Sequence, residues 1–139
     1  MKYRTTLLED AFILEPEPFS DQRGKFSRIF CQKELQHLIR GKTVVQINHS
    51  LTRRKGAIRG MHYQNPPMAE NKMVKCLSGS IFDVLIDLRR NSPTFLKWYG
   101  EVLSAENMKV MYIPEGFAHG FQTLEENCEL LYLHTEFYS

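Results

Sequence analysis

Short apolar segments recur along the chain, and turn-forming residues separate them. Each segment is rich in aliphatic and aromatic side chains, a composition typical of β-strands. A series of many such strands predicts an all-β fold, either a sandwich or a barrel. The predicted strands are residues 43–50, 58–64, 72–77, 81–88, 97–103, 109–113, 120–124 and 128–135.

One segment has the periodicity of a helix instead. In residues 31–41, Leu35, Leu38 and Ile39 fall on one helical face. Arg40 lies in the predicted last turn, and Gly41 is in place to cap the C-terminus. A second, single helical turn is predicted at residues 104–107. The sequence therefore predicts a β-protein with one or two short helices.

Two stretches have the residues of tight turns. Residues 77–80, Leu-Ser-Gly-Ser, lie between two predicted strands, and residues 21–24, Asp-Gln-Arg-Gly, precede the helix. Gly, Ser and Asp favour the backbone conformations of β-turns. We therefore predict a hairpin at each of the two stretches.

Alternation along the strands identifies the polar residues that share a face with apolar ones. Lys72, for example, has the parity of Val74 and Cys76. We predict that polar side chains selected in this way meet in one cavity at the mouth of the barrel. The others are His62, Tyr132, His134 and the row formed by Gln46, Asn48 and Ser50.

Composition and charge narrow the class of protein. With 139 residues, 42% hydrophobic and 24% charged, the sequence fits a single globular domain over residues 1–139. A net charge of +2 is too balanced for a nucleic-acid partner. No signal peptide or membrane-spanning run is visible, so we expect a cytoplasmic protein with no membrane partner. Cys31, Cys76 and Cys128 are widely spaced, which indicates buried free thiols.

Histidines on the strands of a barrel raise the question of a metal site. His62 is followed two residues later by Gln64, so the His-x-His ligand pair common in metal-binding barrels is missing. His62, His119 and His134 are dispersed along the chain and are weak evidence for a ligand set. We therefore expect neither a metal nor another cofactor.

The polar residues suit proton transfer beside a ketone. His62 offers a neutral imidazole, a base suited to pH 7, and Lys72 in an apolar pocket can stabilise negative charge on a carbonyl oxygen. A proton delivered by Tyr132 from the opposite face would invert the carbon. Arg23 and Arg59 suit a diphosphate that anchors the substrate. Together these residues indicate an epimerase.

Six segments carry a family likeness that covers nearly the whole chain. They are FSDQRGKF (19–26), QINHS (46–50), IRGMHYQNPP (58–67), KMVKCLSGSIFDVLIDLRRNSPTF (72–95), YIPEGFAHGF (112–121) and LLYLHTEFY (130–138). With them the chain resembles the dTDP-4-dehydrorhamnose 3,5-epimerases and related nucleotide-sugar epimerases. The resemblance implies a metal-free jelly roll of the cupin type and a homodimer with strands crossing between subunits. It also implies a dTDP-4-keto-6-deoxy sugar as substrate, on the route to activated L-rhamnose.

The resemblance further implies roles for individual residues. His62 matches the base that removes the protons at sugar carbons 3 and 5, and Tyr132 matches the acid. Lys72 and His119 match residues around the keto oxygen, and Arg59 matches a diphosphate contact. Asp83 is expected to steady Lys72 electrostatically. Residues implied to line the site or hold the nucleotide are Gln46, Asn48, Phe19, Arg23 and Tyr138.

The sequence departs from the family pattern at three places. Arg28 stands where typical members carry a glutamate near the nucleotide, so another base could replace thymine, and Leu133 stands where many have a lysine. Relatives also continue for a few dozen residues beyond the equivalent of Tyr138, and that tail supplies an aspartate partner for the histidine base. Here the sequence ends at Ser139. We expect another carboxylate or a neighbouring subunit to replace the aspartate, or activity to fall.

Three other readings of the residues stay open. The first is an epimerase that inverts only one carbon, or that acts on a different nucleotide sugar. The second is a binding or scaffolding jelly roll without activity, although pure binding needs neither the base His62 nor the acid Tyr132. The third is a metal-dependent enzyme of the cupin type, which metal analysis of the purified protein would detect.

Overall fold

Twelve strands and one helix make up the computed structural model, which describes all 139 residues. The prediction of an all-β fold is confirmed. The elements are β1 (Lys2–Thr5), β2 (Phe12–Glu15), β3 (Phe19–Asp21), β4 (Gly24–Phe26), α1 (Gln32–Ile39), β5 (Gln46–Thr52), β6 (Ile58–His62), β7 (Lys72–Ser78), β8 (Ser80–Asp87), β9 (Trp98–Ser104), β10 (Val110–Ile113), β11 (Phe117–Thr123) and β12 (Cys128–His134).

Two antiparallel sheets face each other as a jelly-roll sandwich. The larger sheet has the strand order β1-β2-β10-β7-β12-β5, and the smaller has the order β6-β11-β8-β9. β3 and β4 form a separate hairpin whose two-residue loop confirms the turn predicted at residues 21–24. β5 and β6 are edge strands of different sheets, so each has one side without a strand neighbour.

The main core lies between the two sheets. Val74 of β7, Leu85 of β8, Met111 of β10 and Leu130 of β12 belong to one cluster of 14 buried residues. Alternation places these side chains on the inner faces of their strands. Lys72 and Tyr132 have the same parity as Val74 and Leu130, so both point into the space between the sheets.

Helix α1 covers the outer face of the larger sheet. Leu35, Leu38 and Ile39 are buried there, which confirms the predicted helical face. They pack with Met73 and Leu133 in a second buried cluster. β7 is therefore packed on both faces.

The end of α1 differs in detail from the prediction. Arg40, not Gly41, is the first residue in the left-handed conformation, with φ 53°, and its backbone N–H donates to Gln36 O. Gly41 follows with a φ of 79°. Arg40 tolerates this conformation as a single residue, at a cost of about 1–2 kcal/mol.

The predicted hairpin at residues 77–80 is wrong. Gly79, with φ 81°, turns the chain from β7 in the larger sheet to β8 in the smaller one. β7 already has β10 and β12 as its neighbours, so it has no free edge with which β8 could pair. The segment is a corner of the sandwich, where Gly79 passes close to Cys128.

Several further features complete the fold. β1 and β2 were not predicted from the sequence, and they extend the larger sheet beyond β10. Cys76 and Cys128 are buried and all three cysteines are free, as predicted, but Cys31 is only half-buried because it precedes α1 at the surface. Burial raises the pKa of the Cys76 thiol to about 11. The only helix is too short to cross a membrane.

Candidate active site

A cavity of about 610 Å³ opens between the two sheets at the end where β5 and β6 form the edges. One wall comes from β5, β7 and β12, and the other comes from β6 and β11. The structure thus brings together most of the polar residues that were selected by parity. The predicted site residues that line the cavity are His62, Lys72, Tyr132, His119, Arg59, Asn48 and Tyr138.

Lys72 is a buried charged residue that lines the cavity. Only 9% of the residue is exposed, and its ammonium group makes no hydrogen bond or ion pair with another side chain. Burial lowers the pKa of Lys72, and the carboxylates of Glu70 and Asp83 oppose that effect. The Asp83 carboxylate thus acts on Lys72 without a direct contact, and its role in steadying Lys72 stays a prediction. Because the Lys72 ammonium group has no side-chain partner, it is available to stabilise a negative charge that develops inside the cavity.

His119 and Asp83 form a buried pair next to Lys72. The His119 Nε2 N–H donates to Asp83 Oδ1 over 2.6 Å, and both side chains are almost fully inaccessible. Burial lowers the pKa of His119, and the positive charge of Lys72 adds to that effect while Asp83 opposes it. The imidazole is thus held neutral at pH 7. The other Asp83 oxygen is buried without a hydrogen-bond partner.

His62 lies directly across from His119 in the pairing of β6 with β11. Two glycines allow the strands to approach closely just beside this pair. A Cβ atom on Gly60, whose φ is 117°, would lie 2.6 Å from the Cα of Gly120. The register also shifts between His119 and Phe121. The close approach and the shift together set the position of the His62 ring.

His62 is accessible to solvent in this chain. His62 lines the cavity, but it is exposed, as are all five residues of β6. The reason is that β6 is an edge strand, so solvent reaches it from the side opposite β11. The imidazole is therefore at the cavity mouth, where it can exchange protons with water.

Tyr132 projects into the cavity from β12, on the wall opposite His62. Its hydroxyl lies 3.0 Å from Ser50 Oγ on β5. Burial raises the pKa of Tyr132, while the hydrogen bond to Ser50 opposes that rise. The phenol thus keeps its proton at neutral pH and can act as a donor.

Four predicted site residues lie outside the cavity lining: Asp83, which is buried against His119, and Gln46, Phe19 and Arg23. The Gln46 side chain instead accepts a hydrogen bond from the backbone N–H of Tyr138 at 3.4 Å, so it helps to hold Tyr138 at the mouth. Phe19 and Arg23 lie on the separate β3–β4 hairpin, where both are exposed. Arg23 forms an ion pair with Asp21 at 2.7 Å. A role of Phe19 and Arg23 in nucleotide binding stays a prediction.

Sequence reasoning missed Glu70, which lines the cavity. Glu70 lies in the segment before β7 and accepts a hydrogen bond from His134 Nδ1 over 2.8 Å. Alternation rules apply only within strands, so parity could not place Glu70 in the cavity. The signal available was the acidic side chain two residues before Lys72.

Two of the cavity histidines pair with carboxylates: His119 with Asp83 and His134 with Glu70. No group of three or more His, Cys, Asp or Glu side chains lies close enough to hold a metal ion. The arrangement offers a solvent-accessible base, a buried cation and a phenol around one cavity. Such a set can move protons at a carbon next to a carbonyl group.

Comparisons with known proteins agree with this chemistry. The family model for dTDP-4-dehydrorhamnose 3,5-epimerase matches residues 5–139. The enzyme of that name from Salmonella typhimurium is 48% identical over 135 residues, covering 96% of this chain and 73% of its own. The Bacillus anthracis enzyme, solved with TDP and PPi bound, superposes with a TM-score of 0.94 at 42% identity, covering 99% of this chain and 79% of its own. A Legionella pneumophila epimerase in complex with dTDP-4-keto-L-rhamnose gives 0.93 at 38% identity, covering 99% and 73%.

Proposed function

The chain belongs to the dTDP-4-dehydrorhamnose 3,5-epimerase family, and from this membership we propose that its cavity inverts carbons 3 and 5 of a dTDP-linked 4-keto-6-deoxy sugar. One observation carries the proposal for this site. The buried ammonium of Lys72, the ring of His62 and the hydroxyl of Tyr132 line one cavity from different strands. A ketone that enters it meets a cation, a base and an acid together.

His62 is the proposed base. Its imidazole takes a proton from the carbon next to the ketone, and the C–H electron pair delocalises onto the carbonyl oxygen as an enolate. The ammonium group of Lys72 supports the developing negative charge. Because His62 is exposed, the proton it takes can pass to water.

Tyr132 is the proposed acid. It stands on the wall opposite His62, so it reaches the other face of the sugar ring. A proton given by the phenol to that face completes the inversion, and the enolate electrons return to form the C–H bond. Ser50 orients the phenol at 3.0 Å. Solvent then restores the proton of Tyr132.

Substrate anchoring belongs to residues near the mouth. Arg59 lines the cavity on β6, and its guanidinium suits the diphosphate. Asn48 and Tyr138 also line the mouth and can contact the sugar nucleotide. The charged anchor for the substrate thus lies on the exposed strand β6 of the same cavity that holds Lys72.

A homodimer is the proposed assembly. Both edge strands at the cavity mouth lack a strand neighbour on one side, and Ile47 on β5 and Ile58 on β6 expose 59% and 73% of their surface. An unpaired strand edge with apolar residues favours pairing with a second chain. In such a dimer the β3–β4 hairpin, with Phe19 and Arg23, is free to reach the nucleotide in the partner's cavity. A cytoplasmic location stays a prediction.

Deuterium exchange tests the proposed reaction. The protein is incubated with dTDP-4-keto-6-deoxyglucose in heavy water, and deuterium entry at carbons 3 and 5 is followed by NMR. We expect exchange at both carbons in the parent protein and loss of exchange in His62→Ala by about 100-fold or more, since general base catalysis contributes about that much.

The outcomes separate the competing functions. Exchange at carbon 3 alone would assign a single-position epimerase instead. A folded protein that binds the nucleotide sugar without exchange at either carbon would be a binding protein, and the proposed reaction would be wrong. Metal analysis of the same preparation tests the metal-dependent alternative.

A further inference from the structure

Glu70 and His134 form a second imidazole–carboxylate pair in the cavity, apart from His119 and Asp83. His134 Nδ1 donates to Glu70 Oε2 over 2.8 Å, and the two side chains are only 13% and 12% exposed. Neither residue has a part in the proton transfers proposed above. A carboxylate kept this far from solvent needs a compensating interaction.

The surroundings hold this pair in one orientation. Asn48 Nδ2 lies 3.3 Å from His134 Nε2, so the amide donates to one ring nitrogen while the other donates to Glu70. The His134 ring is also stacked on Tyr132, with an interplanar angle of 19° and 6.2 Å between ring centroids. This pattern selects the neutral tautomer with its proton on Nδ1.

The backbone beside Glu70 is equally restrained. The backbone N–H of Asn71 donates to Thr135 Oγ1 over 2.8 Å, and the Thr135 N–H donates back to Asn71 O. The Asn71 side chain donates to Ile39 O at the end of α1. Glu70 therefore precedes Lys72 in a segment that is fixed to both β12 and α1.

The Glu70–His134 pair acts on the ammonium group of Lys72. Lys72 lies opposite His134 in the β7–β12 pairing, and it makes no ion pair of its own. Burial favours loss of its proton, and Glu70 is the strongest of the influences that oppose that loss. The only other carboxylate acting on Lys72 is Asp83, which is engaged by His119.

We propose that Glu70, held by His134, is a positioning residue whose negative charge keeps the Lys72 ammonium protonated in the cavity during turnover. The electrostatic part of this proposal is independent of the substrate, and its catalytic consequence depends on the proposed epimerase function. Without Glu70, Lys72 would lose its proton at a lower pH and would no longer stabilise an enolate. The ionisable groups that face Lys72 are Glu70, His134 and Tyr132, His62 on β6, His119 on β11 and Asp83 on β8.

The sign of the pH effect follows from this charge. Lys72 is active while protonated, so activity declines as pH rises through the pKa of Lys72. A nearby negative charge favours the protonated form. Removal of that charge therefore moves the alkaline decline in activity to lower pH and leaves the acidic side unchanged.

NMR on the free protein tests the electrostatic part directly. The protein is labelled with ¹³C at lysine Cε, the Lys72 signal is assigned by its loss in Lys72→Arg, and its titration is followed in the parent and in Glu70→Gln. We expect a lower titration midpoint in Glu70→Gln. Glu70→Asp keeps the charge and should lie closer to the parent. An unchanged midpoint in folded Glu70→Gln would overturn the proposal.

The pH profile of kcat/KM tests the catalytic consequence. We expect Glu70→Gln to lose less than about threefold at pH 7 and about tenfold relative to the parent at the alkaline end. Glu129→Gln is the matched control, because Glu129 also pairs with a histidine, His49, at 3.1 Å but on the exposed rim. Its profile and its Lys72 midpoint should equal those of the parent.

The two measurements test different parts of the proposal. An equal loss of activity at every pH in Glu70→Gln would indicate a merely structural role and would contradict the proposal. A parent protein without epimerase activity would refute the proposed function, and the Lys72 titration would still decide the role of Glu70.

Discussion

At the scale of residues, a difference in burial gives the two facing histidines different chemical roles. His62 and His119 are cross-strand partners, yet His62 is exposed and His119 is buried against Asp83. An imidazole that must release a proton to water benefits from exposure, whereas one that must stay neutral benefits from burial. Two histidines thus serve different purposes because His62 lies on the edge strand β6 and His119 on the inner strand β11.

Tyr132→Phe separates proton removal from proton delivery. The phenol is the proposed acid, whereas His62 removes the proton, so we expect exchange to persist in Tyr132→Phe while net inversion slows by about 100-fold or more. NMR of the sugar in heavy water measures both quantities in one sample. Equal losses of exchange and inversion would show that Tyr132 does not act as the acid. Tyr99→Phe, on a phenol outside the cavity, is the control.

Parity predicted the cavity well for residues within strands. Lys72 and Tyr132 converge because alternation along a strand determines which side chains point inward. Glu70 could not be placed in this way, since it lies in a loop whose path depends on long-range hydrogen bonds such as Asn71 with Thr135. Gln46 has the right parity, but its amide is used to hold the backbone at Tyr138.

At the scale of elements, the close contact between β6 and β11 decides where the proposed base stands. Gly60 has a positive φ, and the backbone of Gly120 lies where its Cβ would be. A glycine in such a position commonly marks a close approach of two backbones. The position of His62 therefore depends on a residue that carries no side chain.

Gly60→Ala should displace β6 from β11. The added Cβ would lie 2.6 Å from Gly120 Cα and 2.8 Å from His119 O, both backbone atoms that cannot rotate away. We expect a loss of about 2–3 kcal/mol in the free energy of unfolding, together with a large fall in exchange activity. Urea denaturation and the exchange assay measure the two effects.

Gly56→Ala is the matched control for Gly60→Ala. Gly56 also has a positive φ, 84°, but no atom lies within 4 Å of its would-be Cβ. We expect only the conformational cost of about 1–2 kcal/mol and nearly normal exchange activity. Equal effects of both substitutions would show that the close contact with β11 is unimportant.

At the scale of the whole molecule, the open edges and the distant hairpin suggest a site completed by two chains. His62 belongs to a cavity formed within one chain, whereas Arg23 lies on a hairpin outside that cavity. If the hairpin serves the partner, one chain supplies the base and the other supplies the nucleotide contact. Light scattering measures whether the dimer exists.

Mixed dimers test the sharing of the site. His62→Ala and Arg23→Ala chains are each expected to be impaired alone. After unfolding and refolding together, random pairing should restore about a quarter of the parent's active sites, because half of the dimers are mixed and each has one intact site. No recovery, with mixed dimers demonstrated by mass, would mean that Arg23 does not act in the partner's cavity.

The class of the fold was predictable from the sequence, but the connections between its strands were not. Turn residues and apolar runs predicted an all-β protein, and the helical period located α1. The corner at residues 77–80 has the composition of a hairpin turn, and only the occupied neighbours of β7 prevent a hairpin from forming. β1 and β2, each of four residues, were not predicted.

Packing on both faces of β7 also bears on how this enzyme can evolve. Substitutions near Lys72 disturb an apolar layer on each side, so few of them are compatible with folding. Substitutions on β6 meet solvent over much of their surface and cost little stability. We therefore expect related enzymes that act on a different sugar or nucleotide to differ at the exposed positions of β6 and to keep the buried Lys72.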